Sequence, residues 1–224
     1  MSIENNSSLL HLMRLVSPAL PVGAYVYSQG LESAVDKSWV HDIISAENWL
    51  RGCLIYGVSR LDAPIFLRLY DAWLHEDLDA VKQWNQFLIA SRETSELLLE
   101  DTQMGAALIR LLKDLSVANY EHLSSKISFA TAFALSANIW QVDKTLALRG
   151  LLWSWLENQV ASAIKLIPLG QTQGQRLLIA LTEDVDKTVS AAAEILDENI
   201  GWSLPRLAMA SMNHETQYSR LFRS

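Results

Sequence analysis

Apolar residues along this chain recur at steps of three and four, and rarely at two. From Leu97, the series Leu97, Met104, Leu108, Leu111 and Leu115 keeps one helical face, while Glu96, Glu100 and Lys113 fall on others. That pattern predicts an amphipathic helix of several turns, with Ser91 as its N-cap and acidic residues in its first turn. The same period predicts helices over Leu9–Val16, Gly30–Lys37 and Ser45 to about Arg60, the last with Ser45 as cap. Pro64 suits the first turn of a helix that follows Asp62 and reaches about Leu74. Further periodic stretches run over Asp77–Ala90, Ser125–Ile139, Gln175–Leu181, Asp184–Leu196 and Pro205–Gln217. Asp143 caps the most apolar of them, which Pro168 closes. Period-two alternation is short, and no Asn-Gly or Asp-Gly hairpin turn occurs. The expectation is an all-α globule, a single bundle of about ten helices.

With half of its 224 residues hydrophobic, the chain can bury a sizeable core. No Pro/Gly/Ser-rich linker divides it, so residues 1–224 are expected to form one domain. A net charge of −7 without a basic stripe argues against nucleic acid as a partner. The region from Thr145 to Ile167 carries Arg149, Glu157 and Lys165, too many charges for a membrane span, and reads as a central buried helix. The acidic, polar start Met-Ser-Ile-Glu-Asn-Asn is unlike a secretory signal. The single cysteine, Cys53, fits a small buried hydrophobe in a reducing compartment, and the expected location is the cytoplasm.

Searches for reactive constellations return little. The chain has no phosphate-binding Gly-x-x-x-x-Gly-Lys-Ser/Thr loop and no Gly-x-Ser-x-Gly elbow. His11, His41, His75, His122 and His214 are scattered, without the paired spacing that clamps a metal. The reading is no catalytic residue, no metal ligand and no cofactor held by this chain, hence not an enzyme. Gly170-Gln171-Thr172-Gln173-Gly174-Gln175 is read as a turn and surface patch in which Gln171 and Gln175 meet a partner. Pro18, Pro21 and Gly23 fix a loop that holds Tyr25, Tyr27 and Ser28 before the helix near Gly30. Lys165, one turn before Pro168 in an apolar helix, marks where that helix reaches an edge, either by snorkelling or by meeting an acidic partner.

The segment His214-Glu215-Thr216-Gln217-Tyr218-Ser219-Arg220-Leu221-Phe222-Arg223-Ser224 is unusually specific for a chain end. It interleaves two arginines with a tyrosine, a leucine and a phenylalanine, the residue types that anchor protein interfaces. Tyr218, Leu221 and Phe222 are expected as apolar anchors and Arg220 as a charged contact, in a segment ordered only by a partner. Residues 1–7 and 214–224 are accordingly expected to be flexible in the free protein.

This ending resembles that of the urease accessory protein UreF family. So do Ser17-Pro18-Ala19-Leu20-Pro21-Val22-Gly23 followed by Ser28-Gln29-Gly30-Leu31-Glu32, Ser91-Arg92-Glu93 ahead of Met104-Gly105, and Pro168-Leu169-Gly170-Gln171 with Gly174-Gln175. One departure is Ala24, where the family usually has a second glycine. The resemblance implies a non-enzymatic urease maturation factor, a homodimer that bridges UreD (UreH in some species) and the GTPase UreG and serves the urease apoprotein through that complex. Nickel and GTP would be handled mainly by those partners. It tilts Tyr25, Ser28, Glu32, Lys165, Gln171, Gln175, His214, Glu215, Gln217, Tyr218, Arg220, Leu221 and Phe222 towards partner contact. Two alternatives stay open: a helical hydrolase or transferase with a pocket between the 17–32 loop and the 171–175 turn and Glu32 as base, or a purely structural helical subunit.

Overall fold

Side-chain capping sets five of the helix starts. Asp42 accepts the Ser45 N–H at 2.8 Å while the Ser45 hydroxyl receives the Asp42 N–H, so the helix opens at Ile43 and Ser45 is the reciprocal member of a capping box. Asp77, Thr94, Ser128 and Asp143 cap later helices by accepting a backbone N–H from the first turn. The computed structural model describes residues 4–117 and 126–224. Among these the helices are α1 (Glu4–Leu15), α2 (Leu31–Asp36), α3 (Ile43–Gly52), α4 (Asp62–Leu74), α5 (Leu78–Ala90), α6 (Ser95–Asp114), α7 (Phe129–Ile139), α8 (Lys144–Leu166), α9 (Gln171–Glu194) and α10 (Pro205–Glu215), with no strand between them.

Four boundaries differ from those the sequence suggests. Ser91 does not cap α6: it ends α5, its hydroxyl donating to the Phe87 carbonyl, and Thr94 takes the cap. The stretch expected to stay α-helical to Arg60 passes at Cys53–Val58 into one wide π-type turn. The two helices expected after Gln175 are one, because Leu177, Leu181, Val185, Val189 and Ala192 keep a continuous buried stripe past Thr182. Ser125 lies outside the described residues, and the helix expected from there begins at Phe129.

The core is centred on α4, α7 and α8. Phe66 and Phe133 are wholly buried and meet edge to face at 6.1 Å. Helix α7 is apolar on nearly every side, as an enclosed helix must be. The segment that leads into α7 approaches α6 so closely that a Cβ at Gly105 would stand 2.1 Å from the Ile127 carbonyl oxygen. A second close approach sets the functional end. Gly30, at φ 76°, opens α2 where a Cβ would come within 2.9 Å of the Ser211 backbone nitrogen of α10. No helix among the described residues is long and apolar enough to cross a membrane.

Candidate functional site

Three glutamates gather at the α2–α6–α10 corner, and the C-terminal segment is built onto them. Glu32 projects from the first turn of α2; Glu96 and Glu100 stand one turn apart on α6. Oε1 of Glu32 accepts the Leu221 N–H at 2.6 Å, and Oε2 accepts the Phe222 N–H at 2.8 Å. Glu96 receives Arg220 Nη1 at 2.8 Å on one oxygen and faces His214 Nδ1 at 2.7 Å with the other. The opposite ring nitrogen of His214, Nε2, lies 3.2 Å from Glu32. Ser224 donates its hydroxyl to Glu100 at 2.9 Å, while its carbonyl oxygen accepts from both the N–H and the hydroxyl of Ser28. The Arg223 N–H donates to the Val26 carbonyl, and Lys165 Nζ sits 5.4 Å above the Phe222 ring.

In this seat the chain itself supplies partners for residues 214–224, contacts that the sequence alone assigns to another protein. The anchors were legible as residue types, whereas the convergence of Glu32, Glu96 and Glu100 arises from tertiary packing. The seat also divides the expected contact residues. Ser28, Glu32, His214 and Phe222 are buried and support the segment from beneath. Tyr218 is fully exposed, Leu221 is 65% exposed, and Met209 and Met212 are exposed on α10 just before them. Glu215 turns back to the start of α6, accepting from the Ser95 N–H and hydroxyl, and Gln217 donates to the Ser219 carbonyl. Tyr25 is exposed on the 17–32 loop, and Lys165, also exposed, lies at the Phe222 end of the segment. Gln171 and Gln175 are exposed on the first turns of α9, where the Gly170 N–H donates to Gln173; the expected turn is therefore helical.

Behind Glu100 lies a cavity of about 270 Å³, bounded by residues that include Leu20, Cys53, Arg92, Glu100, Met104 and Trp155. Its wall includes residues of the 17–32 loop but none from 171–175, so the pocket imagined between those segments does not form. Glu32 is absent from the wall and is saturated by tail contacts, which leaves it no role as a free base there. Arg92 bridges Asp101 at 2.9 Å and Asp62 at 2.6 Å, keeping the largely buried guanidinium paired on both sides. Burial pushes the Glu100 carboxyl up to about 7, against the hydrogen bonds from Gln29 and Ser224 that favour its ionised form. Burial likewise pushes the Cys53 thiol up to about 12, consistent with an inert core residue. Among the described residues no group of three His, Cys, Asp or Glu side chains is arranged to hold a metal ion.

Sequence reasoning missed Glu96, Glu100 and Gln29 as parts of this site. Glu100 lies off the apolar face that the period marks, yet it is only 4% exposed. The available signal was the spacing of Glu96 and Glu100, one turn apart on α6.

Comparison with known proteins agrees with the motifs. A family model described as UreF matches residues 40–182. The urease accessory protein UreF of Teredinibacter turnerae is 52% identical over 220 residues, covering 98% of this chain and all of that one. UreF of Hahella chejuensis is 48% identical, with 97% of this chain and 98% of that one covered. The protein of the same name in Microcystis aeruginosa is 44% identical, covering 98% and 99%. The chain belongs to the UreF family of urease accessory proteins.

Proposed function

We propose that this chain is a non-enzymatic adaptor that bridges UreD (or UreH) and the GTPase UreG during GTP-dependent insertion of nickel into urease. The observation that carries the proposal is the exposed apolar edge of Tyr218 and Leu221, backed by Met209 and Met212 and hydrogen-bonded to the glutamate seat. Pre-ordering such a segment lowers the entropic cost of docking a partner onto it. Lys165, Tyr25, Gln171 and Gln175 are proposed as further contacts, since their side chains face solvent. The working unit is a cytoplasmic homodimer, and nickel and GTP, cargo and substrate of the assembly, are handled mainly by the partners.

Coupling to the GTPase follows only if the adaptor prefers one nucleotide state, because a partner without differential affinity shifts no equilibrium. The test is co-purification with UreD and with UreG loaded with GTP or GDP. Nucleotide-dependent capture that is lost in a Tyr218→Ala/Leu221→Ala chain supports the reading. Equal capture in both nucleotide states and in both chains contradicts it. A helical hydrolase is the weaker reading, since Glu32 is committed to the tail.

A further inference from the structure

The cavity behind Glu100 lies apart from the Tyr218 and Leu221 edge, since neither residue lines it. At about 270 Å³ it stands near the small end of ligand pockets, which run from roughly 300 to 1,000 Å³. Most of its lining is apolar, with Leu20, Met104, Leu151 and Leu152 among the residues that close it. The π-type turn at Cys53–Val58 adds Cys53, Gly57 and Val58 to the wall, and wide turns of this kind recur at functional sites. Tyr25 and Trp202, both exposed, bring aromatic rings to its rim.

The charges on this wall are one-sided. Asp62, Glu93, Glu100, Asp101 and Glu157 line it against Arg92 alone. Arg92 is already matched by Asp101 and Asp62, so no cationic charge is left to receive an anion. Glu100 is buried, and its oxygens meet only neutral donors, Gln29 Nε2 at 2.7 Å and the Ser224 hydroxyl at 2.9 Å. Glu157 has neither a hydrogen bond nor an ion pair among the described residues, and burial raises its carboxyl as well. A buried carboxyl with no cation in contact is electrostatically unmatched, and neutralisation, seen here as the rise of Glu100 to about 7, is its response when nothing pairs with it. We infer that the cavity binds a small organic monocation, its apolar body against Leu20 and Met104 and its ammonium head against Glu100. Among the described residues no three side chains are arranged to hold a metal ion, whereas a cation that carries its own apolar surface matches both parts of the wall. Aromatic rings at the rim favour the same class of ligand, because a ring face attracts cations.

The experiment is calorimetric titration of the full chain with three probes that share one phenyl group: phenethylamine, phenethyl alcohol and phenylacetate. Salt at about 0.15 M screens exposed charges beyond about 8 Å, which removes the general attraction of an acidic protein for cations. The amine should bind at least about tenfold more tightly than the alcohol, the gain from one charge-assisted contact, and phenylacetate should show no saturable binding. Glu100→Gln keeps the shape and removes the charge, so it should bring the amine down to the affinity of the alcohol and leave the alcohol unchanged. If Glu100→Gln does not fold, nuclear Overhauser contacts between the amine's ring and the Met104 methyl in the parent chain locate the site, and their absence overturns it. Equal affinity for amine and alcohol, tighter binding of phenylacetate, no saturable binding of any probe, or a preference for the amine that survives Glu100→Gln overturns the inference.

Discussion

Replacing Glu100 by glutamine should make the protein more stable at neutral and alkaline pH and leave it unchanged in acid. The carboxyl is 4% exposed and burial raises it from 4.5 to about 7. Below pH 4.5 it is protonated whether the chain is folded or not, so it contributes no pH dependence there. Between 4.5 and about 7 the folded chain retains a proton that the unfolded chain has lost, and stability falls as pH rises. At ~1.4 kcal/mol per pH unit, that rise corresponds to about 3 kcal/mol by pH 8. Glutamine cannot ionise, yet it can accept from Gln29 Nε2 and donate to the Ser224 hydroxyl, the two groups that now hold Glu100. Urea unfolding followed by helical circular dichroism should be run on both chains from pH 4 to 8.5. Taking the difference cancels every other titrating group. The stability of Glu100→Gln minus that of the parent should climb by about 3 kcal/mol between pH 4.5 and 8. A flat difference, or one that falls with pH, would refute the assignment of Glu100 as a carboxyl kept neutral by burial.

Two substitutions probe the packing that carries the site. Gly105→Ala forces a methyl to within 2.1 Å of the Ile127 carbonyl oxygen, backbone that cannot swing aside, so α6 and the segment entering α7 must separate. A loss of about 3 kcal/mol, read as a melting temperature lower by about 10 °C, is expected; a loss under about 1 kcal/mol would show that the helices are not so tightly apposed. Arg92→Ala leaves Asp62 and Asp101 facing one another without their shared cation and should cost about 3–5 kcal/mol in urea unfolding. A near-neutral result would mean that water already reaches the pair.

The helical character and single-body organisation of the chain were readable from period and punctuation alone. Leu97, Met104 and Leu108 announce α6, and Asp143 and Pro168 bracket α8, because such signals act within a few residues of the backbone they shape. The differences arise where nearby signals compete. Ser91 and Thr94 both suit a cap, and only the contact of Thr94 with Ser211 at 2.7 Å shows which one the fold uses. The passage from α9's first half to its second offers polar Thr182 and Glu183, which mimic a break but simply face outward.

At the site, residue chemistry was legible and partnership was not. Arg220, Leu221 and Phe222 read as anchors, but nothing local tells that Glu32, some 190 positions earlier, receives two of their amides. His214 likewise reads as a lone histidine until α2 and α6 bring a carboxylate to each nitrogen. The family resemblance supplied the functional class from distributed motifs, whereas the intramolecular seat required the fold.

The central claim is that the seated tail presents Tyr218 and Leu221 to the maturation partners. Its most direct test is activation of apo-urease by nickel and GTP in a mixture of purified UreD, UreG and this chain. The intact chain should support activation, and a Tyr218→Ala/Leu221→Ala chain of equal helical content and melting temperature should support little or none. Equal activation by the two would contradict the account.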